Sequence, residues 1–424
     1  MSQTASTIVE TSQASFEAAP LPHGWRWMRL GDMSEVISKG TTPTTLGYAF
    51  TTSGVPFLRA EDINGGVVDV TQVAYHISNE THEILSRSQL LSGDLLITIA
   101  GTLGRVGYVP NDSPPLNCNQ AVAFARLNPK IVDVEYACFA CQSQQVLRSL
   151  TDLRAGGIIQ NLNLQQVQSF LIPLPPLPEQ KRIAAILNEQ MAAVERARDA
   201  AEAQLNAAKD LPAAYLREVF ESPKAEQWRK KRIDEFAQTY SGSTPSRTRA
   251  DYYIGVIPWV KTGELRDGFI SDTEEHVSET ALRECSIKIL PADTLLIAMY
   301  GQGQTRGRTG LLTKPATTNQ ACFAILPNPD EFDSQYLQLW FRHNYSRLRR
   351  ETEGRGGNQP NLNGEVLNRQ QAPLPPLGEQ RDIVKTVTER LIATERVRKR
   401  LQDQLDSINK LPAALLRQAF TGKL

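Results

Sequence analysis

Two stretches 200 residues apart constrain this chain more than any other feature: IPLPPLPEQKRIAAIL at 172–187 and APLPPLGEQRDIVKTV at 372–387. The same offset carries KDLPAAYLREVF, ending at Phe220, onto NKLPAALLRQAF, ending at Phe420. It carries NQAVAFARLNP from Asn119 onto NQACFAILPNP from Asn319, and GGIIQNLNL from Gly156 onto GGNQPNLNG from Gly356. Upstream, with small gaps, KGTTP (39–43) answers SGSTP (241–245), GVPFLRAED from Gly54 answers GVIPWVKTGE from Gly255, and GDLLITIAG from Gly93 answers ADTLLIAMYG from Ala292. The openings GWRWMRLGDM at Gly24 and QWRKKRIDEF at Gln227 also match. A repeat this long is a duplicated domain, not a solenoid of short units. The ramps and the helical stretches after them agree closely, whereas the preceding globules agree only at islands of turn and strand.

The proline ramp predicts an extended, stiff exit from each globule, because proline fixes φ and the residue before it avoids helix. An SH3-type ligand is the other reading of PxxP, but this ramp runs straight into a helix beginning near Glu179 and Glu379, acidic residues suited to a helix N-terminus. The helix carries one apolar stripe: Ile183, Leu187, Met191, Val194, Ala197, Ala201, Leu205 and Ala208. Its counterpart is Ile383, Val387, Leu391, Thr394, Val397, Leu401, Leu405 and Ile408. A 3.6-residue period predicts one greasy face per helix. Two helices of about thirty residues, roughly 45 Å long, bury that face most simply against each other as an antiparallel coiled coil. The alternative is that each packs on its own globule. Pro212 and Pro412 are expected to kink the helix or start a fresh one.

Before the ramps lie short strands (VPFLRA, DLLITIA, RVGYVP, AVAFARL; then VIPWVK, TLLIAMYG, CFAIL), followed by a helix in each half (VEYACFACQSQQVLRSL and SQYLQLWFRHNYSRLRR). Strands followed by helix predict α+β, not an alternating βαβ sheet. No P-loop is present, GQGQTRG at 301–307 has the wrong spacing and context for a dinucleotide fold, and the five histidines form no catalytic or zinc pattern. Cys138 and Cys141 are a lone CxxC; a zinc site wants two further ligands, so buried helix cysteines are expected. The five scattered cysteines suit a reducing cytoplasm. No apolar run is long enough to span a membrane, and the first twenty residues read as a mobile tail, not a signal peptide.

Lys plus Arg total 46 and Asp plus Glu total 46, so net charge gives no vote for nucleic acid, and that reading must rest on local clusters. The first globule offers Lys39, Thr41, Arg59, Thr102, Arg105, Arg154 and Gln160. The second offers Arg247, Arg249, Lys261, Gln304, Arg306, Arg308, Arg355, Asn358 and Gln359. Arg reads guanine bidentately and Asn or Gln reads adenine; glycines beside them let backbone approach phosphate. Any single charged loop residue can equally be solvated surface. Asn119–Gln120 and Asn319–Gln320, at matched places beside a strand, fit a shared structural role better than base reading.

Divergent globules, each followed by PLPPLxEQ and a long helix, resemble the specificity subunit of type I DNA restriction–modification systems. The resemblance runs from about Leu21 to Leu424. It rests on the ramps, the LPHGWRWMRLGDM opening, the KGTTP and SGSTP turns and the terminal LLRQAFTGKL. It departs at Gly378, where the first copy has Pro178 and a looser second ramp is expected. The resemblance implies a non-catalytic subunit whose two target-recognition domains each read one half of a split, asymmetric site in double-stranded DNA. It implies helices, with Ile183, Leu187, Val194, Leu205, Ile383, Val387, Leu391 and Leu405 on their seam, that space the domains and dock two methyltransferase subunits. Two motor–nuclease subunits complete such a complex, which uses S-adenosylmethionine, ATP and magnesium; no cofactor or metal is expected in this chain. The corresponding divisions are a tail (1–20), recognition domain 1 (21–177), spacer helix 1 (178–222), recognition domain 2 (223–377) and spacer helix 2 (378–424). The rival classes are a two-lobed protein-binding scaffold and a single-chain nuclease–methylase, the latter opposed by the missing motifs.

Overall fold

The computed structural model describes residues 21–144, 146, 161–301, 303–352 and 362–424; the proposed tail lies outside them. By its internal contacts the chain forms two compact units, one running to Ala201 and including Gln404–Leu424, the other Glu202–Asp403. The fold is α+β in both.

In the first unit the strands are β1 (Arg26–Arg29), β2 (Ser34–Lys39), β3 (Val55–Leu58), β4 (His76–Ile77), β5 (Gln89–Leu90), β6 (Leu95–Thr98), β7 (Val106–Tyr108), β8 (Leu116–Cys118), β9 (Val122–Leu127) and β10 (Leu171–Leu174). They form sheets ordered β2-β9-β6-β7 and β4-β3-β8-β5, with β1 and β10 paired separately. The run LLIT of β6 is buried throughout because both faces of this inner strand are covered. The helices are α1 (Asn79–Ile84), α2 (Val134–Gln142), α3 (Leu164–Gln168) and the first part of α4 (Leu177–Phe220).

The second unit repeats the plan. It contains α5 (Pro223–Glu226), α6 (Ile233–Phe236), α7 (Glu279–Glu284), α8 (Ser334–His343), α9 (Tyr345–Thr352), α10 (Gly364–Asn368) and most of α11 (Leu377–Ile408). Its strands are β11 (Lys230–Arg232), β12 (Thr239–Ser241), β13 (Ile257–Val260), β14 (Gly268–Ile270), β15 (His276–Val277), β16 (Leu295–Ala298), β17 (Thr309–Leu312), β18 (Thr317–Thr318), β19 (Cys322–Ile325) and β20 (Gln371–Pro373). The sheets are β12-β19-β16-β17-β14 and β15-β13-β18, with β11 paired to β20. Strand β14 is an addition; the first unit has only a single parallel bridge, Val67 to Tyr108, in its place.

The ramp is not a free extended exit. Its start pairs antiparallel with the opening strand of its own globule, Trp27 opposite Pro173 and Lys231 opposite Ala372. The opening motif and the ramp recur together because they are strand partners. The ramp's last residues already belong to the first turns of α4 and α11, where a proline such as Pro178 forfeits only an N–H that has no partner anyway. Matched hydrogen bonds anchor each ramp. Tyr136 and Tyr336 donate their hydroxyls to the carbonyls of Pro173 and Pro373. The Gln180 amide accepts from Asp133 N–H (2.9 Å) and donates to Pro175 and Ile131 carbonyls (2.9 and 3.1 Å). The Gln380 amide does the same with Asp333 N–H (2.9 Å) and the Pro375 carbonyl (2.8 Å). Gly378 therefore leaves the second ramp held as the first is.

Each unit contains part of both long helices. In the first, Ile183 and Leu187 of α4 share a core with Leu416, Ala419 and Phe420, which belong to or directly follow α12 (Leu411–Ala419). Arg182 donates to the backbone oxygen of Leu424 at 2.9 Å. In the second, Leu216, Val219 and Phe220 at the end of α4 pack with Ile383, Val387 and Leu391. The polar contacts there run in opposite directions along the two helices, Tyr215 with Thr394 and Glu218 with Arg390, and continue from α5 with Lys224 on Glu379. The two long helices pack together, as expected, and each also starts on its own globule.

Leu187 is fully buried, Leu205 and Leu405 are buried, Val194, Ile383 and Leu391 are half-buried, and Val387 is 1% exposed. Ala197 and Val397 depart from the expected stripe and face solvent. The seven-residue step from position 194 to 201 can be divided four-plus-three as well as three-plus-four. Here the half-buried positions are Arg198 and Arg398, whose heads pair with Glu195 and Glu395 while their stems can cover apolar surface. The two prolines also diverge: α4 runs unbroken through Pro212, whereas Asn409 and Lys410 form a turn and α12 begins before Pro412.

Candidate DNA interface

The islands shared by the two globules frame a set of loops. Gly40 and Gly242 sit so close to the neighbouring loop that a Cβ would lie 2.1 Å from the Cys118 carbonyl oxygen and 2.2 Å from that of Thr318. This explains the glycine of KGTTP and SGSTP. In each turn the next-to-last residue, Thr42 or Thr244, bonds the side chain of Gln120 or Gln320. Asn119 and Asn319 accept from the N–H groups of Ala121 and Ala321, both at 3.1 Å. The Asn–Gln pairs are loop scaffolding.

From this frame two cations project at matched positions in each unit. The first follows β3 or β13. Arg59 and Lys261 each open a 3₁₀ turn, their own N–H bonded to Asp62 or Glu264 at 2.7 Å. The second directly precedes β7 or β17. Arg105 donates to Asn64 Oδ1 at 3.2 Å, and Arg308 pairs with Asp267 at 2.5 Å and reaches Gln304 Oε1 at 3.2 Å. The two loops meet. Gly263, Leu265 and Arg266 line one hollow with Gln304, Thr305 and Arg308; Asn64 and Gly65 line its counterpart with Gly104 and Arg105. The backbone that re-enters at Leu162 and Leu362 is bonded to Ile99 and Met299 at the edge of the same loops. Arg154, Gln160, Arg355, Asn358 and Gln359, in the segments leading there, lie outside the described residues.

Around Lys261 the second unit builds a charged network. Glu275 takes Arg247 at 2.6 Å and Lys261 at 2.9 Å, and Glu274 takes Lys261 at 3.1 Å. Hydrogen bonds from Arg247, then from Lys261, push the Glu275 carboxyl down to about 2, against the opposing effect of desolvation. Arg247 lies over the rings of Tyr253 and Trp259, at 4.3 and 5.1 Å. Arg249 pairs with Asp251 and Glu284 above Tyr252. In the first unit Arg59 lies 4.5 Å over the Tyr75 ring, with Nε on Glu61 at 3.0 Å.

Of the remaining candidates, Lys39 and Thr102 are exposed and Thr41 is half-buried with its N–H bonded to Cys118. Arg306 is 5% exposed, with its guanidinium donating to the Arg349 carbonyl, so it supports the loop from inside. A basic residue among glycines gives no sign of which way it points. Asn64, Asp267, Tyr75, Tyr253 and Arg266 were missed singly. Only the alignment of GVPFLRAED with GVIPWVKTGE pointed to their neighbourhood. Cys118, Cys138, Cys141 and Cys322 are buried free thiols, pushed up in pKa by burial. Among the described residues no group of His, Cys, Asp and Glu could hold a metal, and no helix is long and apolar enough to cross a membrane.

The profile of the type I restriction modification DNA specificity domain matches residues 22–202 and again 225–406. The chain belongs to this family. It is the DNA specificity subunit of a type I restriction–modification system, the non-catalytic member. It is 24% identical over 435 residues to the EcoKI specificity subunit of Escherichia coli K12, across 96% of this chain and 90% of that one. Its fold is similar to a chain from a structural account of complex assembly and conformational transition in the type I R-M system, with TM-score 0.74 and 23% identity, covering 96% of this chain and 100% of the other. It is also similar to the HsdS subunit of Thermoanaerobacter tengcongensis, with TM-score 0.66, 22% identity and 96% and 99% coverage.

Proposed function

We propose that each unit of this specificity subunit reads one half of a bipartite, asymmetric site in double-stranded DNA. The divisions are those given by the sequence: recognition domains 21–177 and 223–377, spacer helices 178–222 and 378–424. The observation that carries this reading is the matched pair of cations, Arg59 with Arg105 and Lys261 with Arg308, on loops that meet in each unit yet are held by different partners. A shared frame with different holders suits two readers of different sequence. Lys39, Thr41, Thr102, Arg247, Arg249 and Gln304 flank these loops as phosphate or base contacts. The lengths of α4 and α11 set the spacing of the half-sites, and their outer faces dock two methyltransferase subunits. Two motor–nuclease subunits join the complex, which uses S-adenosylmethionine, ATP and magnesium in the cytoplasm; this chain itself needs none of them.

The test is methylation by the assembled complex on duplexes carrying every single-base change in each half-site. Loss of a bidentate guanine contact costs about 1–3 kcal/mol of discrimination. Arg105→Ala is expected to relax one half-site and Arg308→Ala the other. Relaxation of the same half-site by both, or of neither, contradicts the reading.

A further inference from the structure

We propose that Glu275 is a specificity gate in the second unit, a built-in anion that occupies Arg247 and Lys261 so that only target DNA displaces it profitably. The inference rests on the reading of this unit as a DNA reader. Its basis is geometric. Glu275 makes a two-point contact with Arg247, Nη1 to Oε2 at 2.6 Å and Nη2 to Oε1 at 3.3 Å, and its Oε1 also takes Lys261 Nζ at 2.9 Å. Arg247 lies against the rings of Tyr253 and Trp259, and Trp259 is itself fixed, 1% exposed with its indole N–H on the Ser243 carbonyl at 3.1 Å. The cations are thus positioned before any ligand arrives, and they are already spoken for.

The first unit shows that this is not demanded by the fold. Glu275 and Tyr75 occupy matched places, each giving its backbone carbonyl to the residue two before the cation, Trp259 (3.0 Å) or Phe57 (2.8 Å). Tyr75 offers a ring face, which holds Arg59 without consuming its N–H donors. Glu275 consumes them. A phosphate reaching Lys261 or Arg247 therefore exchanges one anion for another and meets the repulsion of the displaced carboxylate, so non-specific DNA gains little. A base edge that accepts from the freed Arg247 fork, or a cytosine amino group that donates to Glu275, offsets the exchange. Specificity here comes from penalising the wrong partner.

The experiment uses the complex of this chain with its methyltransferase subunits and the isosteric Glu275→Gln. On a duplex lacking the site, the freed Arg247 should steepen the dependence of log affinity on log salt by about one, while Lys261 keeps Glu274 at 3.1 Å. Methylation of duplexes changed in the second unit's half-site should rise about tenfold, while duplexes changed in the other half-site respond as before. Unchanged salt dependence and unchanged tolerance, or an equal rise at both half-sites, would overturn the gate. Lys261→Ala separates the layers. If it leaves binding of the target site intact, DNA reading by this surface is wrong. If it weakens that binding while Glu275→Gln changes nothing, only the gate is wrong.

Discussion

Phe420→Ala is expected to destabilise the first unit by about 3–5 kcal/mol, the range for removing a buried phenylalanine. The ring is 2% exposed and lies edge-on to Tyr136, centroids 5.5 Å apart. It shares a core with Leu416, Ala419, Ile183 and Leu187, so it joins α12, the start of α4 and the globule at one point. Tyr136 also holds the ramp through the Pro173 carbonyl, so loss of the ring loosens the residue that anchors the helix start. Denaturant unfolding of the purified chain measures the effect, with exposed Lys423→Ala as a control. The matched Phe220 packs against Tyr336 and His343 but is only half-buried, so Phe220→Ala should cost less. Equal, small effects from both would show that these rings do not close the units.

Gln380→Leu is expected to cost about 2–6 kcal/mol, because it strands at least one buried donor and one buried acceptor at about 1–3 kcal/mol each. The Gln380 side chain is 0% exposed, and its amide is the partner of Asp333 N–H and of the Pro375 carbonyl. Asp333 in turn caps α8 through the N–H groups of Gln335 and Tyr336, so the substitution disturbs both the ramp and the helix behind it. Gln380→Glu should be harmful too, since a carboxylate replaces the donor that faces the Pro375 and Glu331 carbonyls. Unfolding together with hydrogen exchange at the Asp333 amide provides the check. Wild-type stability with a protected amide would mean that the ramp is held by something other than this side chain.

The duplication was legible because it is written in residues whose chemistry is local: glycines at close approach, prolines at a helix start, one greasy position per turn. The partners of those residues were not. Nothing near PLPPL announces that its start lies in a β-strand, because the partner strand lies at the opposite end of the globule's sequence. The glutamine of EQ was visible as a repeat but not as a buried tether, since two of its partners lie 47 and 49 residues away. A seven-residue step on a helix admits two divisions, and sequence periodicity chose Ala197 and Val397 where the fold chose Arg198 and Arg398. At the interface, charge counting found the cations yet not their holders. It therefore could not separate Arg308, at the rim of a hollow, from Arg306, two residues away and buried.

Mapping of methylated positions in cells shows whether each half-site has its own reader. Residues 21–171 are replaced by the corresponding segment of another family member, and the modified chain is expressed with its own methyltransferase. One half-site is expected to change to a new sequence while the other half-site and the spacing between them stay as they were. A change in both half-sites, or in neither, would contradict it.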